Sequence, residues 1–310
     1  MIIKSIPEDF IVEEIPIDFS GKGDYAIYRL TKKDYNTESA VEYICNKFNI
    51  PRKNIKYAGS KDRHALTTQF ISIFKGKGAL KIDTEKIKLE FISLHDGPLS
   101  LGSLKGNNFT IKIRELSEEE LKNFKKRYSE EHVFPNYFDD QRFSEYNFDI
   151  GLSILKRDFE NACKLAKIEV KNNDYVNALN KIPKKTLLFY IHSVQALIFN
   201  KELSEKIKGV GKYYLKEYSK GELAFLEDKN YQSLNIKLVG FDVDSGLLKE
   251  FGLTSRDFII KQFPELSVEG IERECFVKTE LTYTQDQEGM TLEFILPKGS
   301  YATMMIKSLF

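Results

Sequence analysis

The sequence has little of what disulfide frameworks, metal sites and membrane segments require. Its three cysteines, Cys45, Cys163 and Cys275, are far apart and odd in number, which favours free and mostly buried thiols. Its four histidines show no metal-ligand spacing with one another or with a cysteine, so we predict no metal site. It contains no apolar run of about 18 residues and no signal-peptide core. We therefore expect a soluble, cytoplasmic protein without a membrane segment.

Net charge is almost absent as well. The chain has 47 Lys and Arg against 46 Asp and Glu, which gives a formal net charge of +1. A polyanion would therefore have to meet a local basic patch, because the overall field of the molecule is weak. What the chain does have is length: its 310 residues, 42% of them apolar, can bury a sizeable core and form about two domains.

The most informative stretch covers residues 57–69 and reads YAGSKDRHALTTQ. A strand is predicted on each side of it, the second by two-residue alternation over 66–74. Between them a Gly-Ser turn is followed by Lys61, Asp62 and Arg63. An aspartate in this setting can stay ionised at neutral pH and still face an anionic ligand. Spacing alone leaves open a second interpretation, in which the aspartate only caps a turn on a solvated hairpin.

Two further segments also allow two interpretations each. The sequence GNN at 106–108 follows Lys105 and could form a tight turn, or its backbone N–H groups could approach a phosphate. The segment 134–144 (FPNYFDDQRFS) crowds aromatic side chains around carboxylates and Arg142. It could stack on a base and contact a phosphate, or it could be a well-packed irregular loop.

The sequence predicts mainly helices in the middle of the chain and mainly strands towards both ends. Helices are predicted from Thr37 as N-cap, at 117–131, 150–166, 184–207, 254–263 and 304–310. Strands are predicted within 1–35, at 54–58, 66–74, 109–114, 234–240, 274–283 and 291–296. This order indicates a sheet domain that is interrupted by an inserted domain and completed by the C-terminus.

Together the motifs resemble the TruD family of RNA pseudouridine synthases. They occur in the family's order along the whole chain: KxxPEDFIVEE from Lys4, GSKD with TxQ at 59–69, LGSLKGNNF at 101–109, NYF with QRF at 136–143, and LPKGSYAT at 296–303. Residues 193–200 are a looser match to a family helix. Asp139 and Ser144 stand where the family usually has glycines. This departure affects the exact turn at these positions and hardly affects the reaction.

The resemblance implies an α+β fold. A pseudouridine-synthase core with a mainly antiparallel mixed sheet and flanking helices is expected over 1–160 and 269–310. A helix-rich α/β TRUD domain is expected as an insertion over 161–268. The resemblance also implies tRNA as partner, with position 13 as the usual target. No cofactor and no obligate protein partner are expected.

Residue by residue, the resemblance makes Asp62 the catalytic aspartate and Lys4 the basic residue that pairs with it. Phe138 takes the place of the aromatic residue that stacks on the target uracil, and Asn136 helps to hold the aspartate. RNA contacts are expected from polar and basic residues in or beside the motifs: Lys61, Arg63, His64, Lys105, Asn107 and Arg142. An ionised carboxylate can attack C1′ or remove a ribose proton, and either route needs no metal.

Two other classes of protein are alternatives. A catalytically idle tRNA-binding protein could keep the same surface, but the presence of both Lys4 and Asp62 argues against it, since a pure binder needs no carboxylate facing phosphate. A nucleoside hydrolase could also use an aspartate. The sequence has no metal-binding carboxylate cluster of the kind that such a hydrolase would need.

Overall fold

The computed structural model describes residues 1–76, 80–100, 102–144, 146–228, 231 and 233–310, and these form two compact units. The first unit comprises Met1–His132, Thr279–Gly299 and Phe310, and the second comprises Val133–Lys278 and Ser300–Leu309. These bounds differ from the predicted core and insertion, so that domain assignment stays a prediction. Leu101 of the LGSLKGNNF motif lies outside the described residues.

Strands and helices both contribute heavily to the described part of the chain. The strands are β1 (Ile2–Ile3), β2 (Phe10–Pro16), β3 (Tyr25–Lys33), β4 (Ile55–Tyr57), β5 (Leu66–Phe74), β6 (Ile82–Asp83), β7 (Ile87–His95), β8 (Leu104–Arg114), β9 (Glu131–Pro135), β10 (Tyr213–Tyr218), β11 (Gly221–Leu226), β12 (Asn235–Lys237), β13 (Glu272–Glu274), β14 (Phe276–Asp286) and β15 (Gly289–Pro297). The α-helices are α1 (Thr37–Phe48), α2 (Glu118–Arg127), α3 (Asn147–Leu155), α4 (Phe159–Leu165), α5 (Tyr175–Asn180), α6 (Lys184–Val210) and α7 (Ala302–Leu309). The predicted α+β class is confirmed.

The first unit is built on a mostly antiparallel sheet in the order β6-β7-β3-β5-β2-β8-β15-β14, with β1 added at β8 and β4 at β5. Its parallel pair, β2 with β5, places Ile11 opposite Leu66. Helix α1 covers one face of this sheet, where Val41 and Ile44 pack with Tyr28 in a fully buried cluster. The loop between β4 and β5, which carries Asp62, therefore emerges between strands that are fixed on both sides.

Two sequence predictions for the first unit need correction. Helix α1 is capped by Asn36, whose side chain accepts from two backbone N–H groups, and not by Thr37. The sequence GNN at 106–108 forms no turn: it lies inside β8, with Asn107 opposite Glu14 of β2 and Leu296 of β15. The glycine of that sequence is required by close packing, because a Cβ there would come 2.5 Å from the Leu296 carbonyl oxygen. Since these residues sit between two strands, their backbone is not a free phosphate cradle.

The second unit is mainly helical, and α6 is its longest element, with 27 residues. The predicted helix over 150–166 is wrong as a single helix: it is divided into α3 and α4 at Arg157, whose φ of 65° leaves the helical region. The predicted helix over 254–263 is a short 3-10 helix, Ser255–Phe258. No helix within the described residues has the length and apolar character needed to cross a membrane.

Candidate active site

The predicted pair of Asp62 and Lys4 is present in the first unit. The Lys4 ammonium nitrogen lies 2.5 Å from Oδ2 of Asp62, and 4.0 Å from the centroid of the Phe10 ring. The two side chains are 24% and 33% exposed, so the pair is half-buried and open to a ligand. Lys4 adopts a φ of 64°, which is uncommon for a residue other than glycine and tends to occur at functional sites. The structure thus brings together two residues that are 58 positions apart.

Two buried polar side chains hold the start of the Asp62 loop. Thr37, at the first turn of α1, donates its hydroxyl to Oε1 of Gln69 (3.0 Å) and accepts from the backbone N–H of Lys61 (3.1 Å). Gln69, on β5, donates in turn to the carbonyl of Gly59 (3.0 Å). Both side chains are buried, so these bonds are shielded from competing water. The Gln of the TxQ motif therefore has a clear structural task, which is to anchor the loop.

The sequence analysis missed Lys32, which supports the same loop from β3. Its ammonium donates to the carbonyl oxygens of Lys61 (3.2 Å) and Asp62 (2.6 Å). The residue is fully buried, and this burial lowers the pKa of its ammonium to about 8, although the nearby Asp62 carboxylate opposes the change. The buried Lys32 therefore hydrogen-bonds to the backbone of Asp62, the residue that the family resemblance makes catalytic.

Lys61 turns into the interior of the first unit. Its ammonium lies 2.8 Å from Oε2 of Glu14, and the two side chains are only 9% and 0% exposed. The other carboxylate oxygen of Glu14 accepts from the backbone N–H of Phe70 at 3.3 Å. The side chain of Lys61 thus takes part in a buried ion pair and is not exposed to a polyanion.

The remaining polar residues predicted for the first unit differ in exposure. Arg63 and His64 are exposed beside Asp62, and Nδ1 of His64 lies 2.9 Å from a carboxylate oxygen of Asp34. Lys105 is 54% exposed and lies 2.8 Å from the carboxylate of Asp18. Asn107 is half-buried within β8. Arg63, His64 and Lys105 are therefore accessible to a polyanion.

Asn136 and Phe138 lie in the second unit, where their neighbours fix them closely. Asn200 of α6 accepts from the backbone N–H of Phe138 (2.9 Å) and donates to its carbonyl (2.8 Å), so one amide secures both backbone groups. Asn136 donates its side-chain N–H to the carbonyl of Glu274 at 3.0 Å and accepts from Arg273 at 2.8 Å. Asn200 belongs to the segment 193–200, which loosely matches a family helix. That match was the one sequence feature that pointed to this residue.

Two guanidinium groups approach the Phe138 ring. That of Arg273 lies 4.1 Å from the ring centroid, and that of Arg142 lies 5.3 Å from it. Such contacts are favourable cation–π interactions. Burial lowers the pKa of Arg273 to about 10, and burial together with Arg142 lowers the pKa of His192 to about 4. Phe138 itself is only 7% exposed, and Arg273 was not found by the sequence analysis.

The sequence-predicted site residues thus divide between the units. Asp62, Lys4, Lys61, Arg63, His64, Lys105 and Asn107 belong to the first, and Asn136, Phe138 and Arg142 belong to the second. Within the described residues, no group of three or more His, Cys, Asp or Glu side chains could hold a metal ion.

Comparison with known proteins agrees across the whole chain. The family model "tRNA pseudouridine synthase D (TruD)" matches residues 1–166, 163–240 and 239–309. "Probable tRNA pseudouridine synthase D" of Nanoarchaeum equitans is 32% identical, with 100% of this chain and 98% of that protein covered. The tRNA pseudouridine synthase D of Aquifex aeolicus is 29% identical, with 99% and 97% covered.

A solved structure supports the same fold. The crystal structure of a candidate tRNA pseudouridine synthase D (TruD) of Methanosarcina mazei superposes with a TM-score of 0.68 at 24% identity, covering 99% of this chain and 92% of that one. At this identity the likeness concerns the fold alone. The family model and the curated relatives carry the assignment further: this chain belongs to the tRNA pseudouridine synthase D (TruD) family, whose members are isomerases that act on tRNA.

Proposed function

We propose that the chain converts a uridine of tRNA, at position 13, to pseudouridine with the Asp62 carboxylate as its catalytic group and without a cofactor. The observation that carries this proposal is the Asp62–Lys4 pair, which is half-buried with its charged groups only 2.5 Å apart. Asp62 stands on a loop that buried side chains anchor. A carboxylate that merely caps a turn bonds to nearby backbone N–H groups. Asp62 instead reaches the ammonium of Lys4, 58 positions away along the chain.

The reaction breaks the C1′–N1 bond, rotates the uracil and joins C5 to C1′. The Asp62 carboxylate either attacks C1′ or removes a ribose proton, and the lost glycosidic electrons leave with the uracil. If the carboxylate has attacked, its bond to C1′ breaks as C5 bonds to C1′; if it has removed a ribose proton, that proton returns to the same carbon. C5 then loses its proton and N1, which left as an anion, gains one, so the product is an isomer. Before the reaction the Lys4 ammonium lies 2.5 Å from the Asp62 carboxylate and offsets its negative charge.

The target base must leave its stack before C1′ can be reached, so we propose that the uridine is flipped out of the RNA. In this proposal Phe138 replaces part of the lost stacking, and Asn200 and Arg273 keep its ring in one orientation. Arg63, His64, Lys105 and Arg142 supply the contacts to the RNA backbone. We further propose that residues 161–268 select the tRNA, since every chemical motif except the loosely matching segment 193–200 lies outside them. We also propose that the enzyme acts in the cytoplasm, where it meets its substrate.

The test is incubation of the protein with unmodified tRNA, followed by chemical mapping of pseudouridine. Asp62→Asn should lower turnover by about 10³-fold or more, because an amide neither attacks carbon nor accepts a proton well. Affinity for tRNA should hold or rise slightly, since a negative charge near phosphate is lost. Because the Asp62–Lys4 pair is partly solvated, the free energy of unfolding should change by only about 0–1 kcal/mol.

Asp83→Asn is the matched control, since Asp83 is 63% exposed on β6 and pairs only with Lys88 in the contacts of the described residues. It should leave turnover unchanged. A folded Asp62→Asn protein that forms pseudouridine at the wild-type rate would show that Asp62 is not catalytic. Pseudouridine at another tRNA position would refute only the assignment to position 13 and would leave the proposed activity intact.

A further inference from the structure

A buried lysine with no part in the chemistry above lies against the Asp62 loop. Lys32 is fully buried in β3, opposite Thr67 of β5 and Ile87 of β7. Lysine is almost never fully buried unless it is paired, because its ammonium loses its hydration. Among the described residues, the contacts of this ammonium are to main-chain carbonyl oxygens and not to a carboxylate. Packing alone does not account for a lysine at such a position, since an apolar residue would avoid the cost of burial.

We propose that Lys32 is a positioning residue for the isomerisation: its ammonium fixes the main chain of Asp62 so that the carboxylate points to the substrate. The inference rests on the proposed catalytic role of Asp62. Its basis is that Lys32 bonds to two consecutive carbonyl groups, those of Lys61 and Asp62. In addition, the hydroxyl of Thr37 accepts from the N–H of Lys61. Both polar groups of the Lys61 backbone are therefore restrained, and so is the carbonyl of Asp62.

In this arrangement Lys32 makes no bond to the carboxylate oxygens of Asp62. Lys32 bonds to the carbonyl oxygen of Asp62 and not to its carboxylate, which stays 33% exposed beside Lys4. A direct salt bridge from a buried lysine would have held the aspartate as well, but it would have occupied an oxygen that the chemistry needs. Because a misplacement of about 1 Å can cost about 10²-fold in rate, restraint of the backbone has a large effect without direct contact to the substrate.

The charges around Lys32 are compatible with this role at neutral pH. The Asp62 carboxylate attracts its ammonium and the Lys61 ammonium repels it. The repulsion is reduced because Lys61 is paired with Glu14 at 2.8 Å. With its pKa lowered to about 8, Lys32 is still mainly protonated at pH 7, and its hydrogen bonds to the two carbonyls are charge-assisted.

The experiment measures single-turnover pseudouridine formation on tRNA, and separately the dissociation constant for tRNA, in two variants. Lys32→Met keeps an unbranched side chain that is one heavy atom shorter than lysine, and it removes the donors. Lys32→Gln keeps a polar group in the pocket but is too short to bridge both carbonyls, so it is the second variant if the first does not fold. Lys33→Met is the control, because the neighbouring side chain is 37% exposed and pairs with Glu8 on the surface.

We expect both Lys32 variants to lose about 10²-fold in single-turnover rate with unchanged affinity for tRNA, and Lys33→Met to match the wild type. In the Asp62→Asn background the Lys32 change should have little further effect, because the carboxylate that it positions is gone. Rates equal to the wild type would overturn the proposal. So would a parallel loss of rate and affinity, since Lys32 would then support only the fold. An inactive wild-type protein, or an active Asp62→Asn variant, would instead refute the proposed function itself.

Discussion

Raising the pH should stabilise this protein through Lys32. Its ammonium has a folded-state pKa of about 8 because it is buried, against 10.5 in the unfolded chain. Below about pH 8 the group is protonated in both states, and the folded state bears the full cost of the buried charge. Between about pH 8 and 10.5 the folded protein has released this proton while the unfolded chain still binds it. The free energy of unfolding therefore rises with pH in this window.

The size of the effect follows from the two pKa values. The difference between 10.5 and about 8 corresponds to about 3 kcal/mol, gained progressively as the pH passes from about 8 to above 10.5. The Asp62 carboxylate opposes this lowering of the Lys32 pKa, and the Lys61 ammonium adds to it. The free-energy difference therefore includes the interactions of Lys32 with both groups. Part of the gain should already be measurable at pH 9.5, where the folded-state amine is almost fully neutral.

The assay is urea denaturation of the wild type and Lys32→Met at intervals between pH 7 and 10. Taking the difference between the two proteins cancels the titration of groups that they share. The wild type should gain stability relative to Lys32→Met as the pH rises. Lys33→Met is an informative control: the hydrogen bond to Glu8 raises the pKa of Lys33, so its contribution is fully present below pH 10.5 and is lost only above it. A flat difference for Lys32→Met would show that its pKa is not lowered.

Two further predictions concern the neighbours of the loop. Glu14→Gln should lower the free energy of unfolding by about 3–5 kcal/mol in chemical denaturation, because it leaves the buried Lys61 ammonium without its carboxylate, whereas Glu13→Gln on the exposed face should have little effect. Arg63→Gln should lower the slope of log affinity for tRNA against log salt by about one; an unchanged slope would mean that Arg63 contacts no phosphate.

Local patterns were enough for much of the fold. The alternation over 66–74 predicted β5, and the capping box at Ser117 predicted the start of α2, because neighbouring residues alone decide both features. The break between α3 and α4 could not be predicted in this way. Arg157 there donates to the carbonyls of Asp257 and Ile259, about 100 positions away, so a distant segment stabilises its left-handed backbone.

The candidate site shows the same division. Asp62 and Lys4 were expected to pair only through the family resemblance, since nothing local relates residues 58 positions apart. Lys32 and Glu14 were missed because charged residues near strand ends usually face solvent. A signal was nevertheless present. Glu14 continues the inward alternation of Phe10 and Val12 in β2, and Lys32 continues that of Tyr28 and Leu30 in β3. A charged residue on the buried phase of a strand therefore marks a position that needs a polar partner.

Those two inward charges serve one loop by different means. Glu14 binds the side chain of Lys61, and Lys32 binds the carbonyls of Lys61 and Asp62. Each is costly to bury, yet together they fix the backbone on which Asp62 stands while its carboxylate stays half-exposed beside Lys4. An apolar support for the loop would cost less but would leave the backbone polar groups of Lys61 and Asp62 without these bonds. Neither Glu14 nor Lys32 contacts the Asp62 carboxylate directly, so both leave its oxygens to the substrate. The two buried charges are therefore best explained by the need to orient this carboxylate through the backbone of its loop.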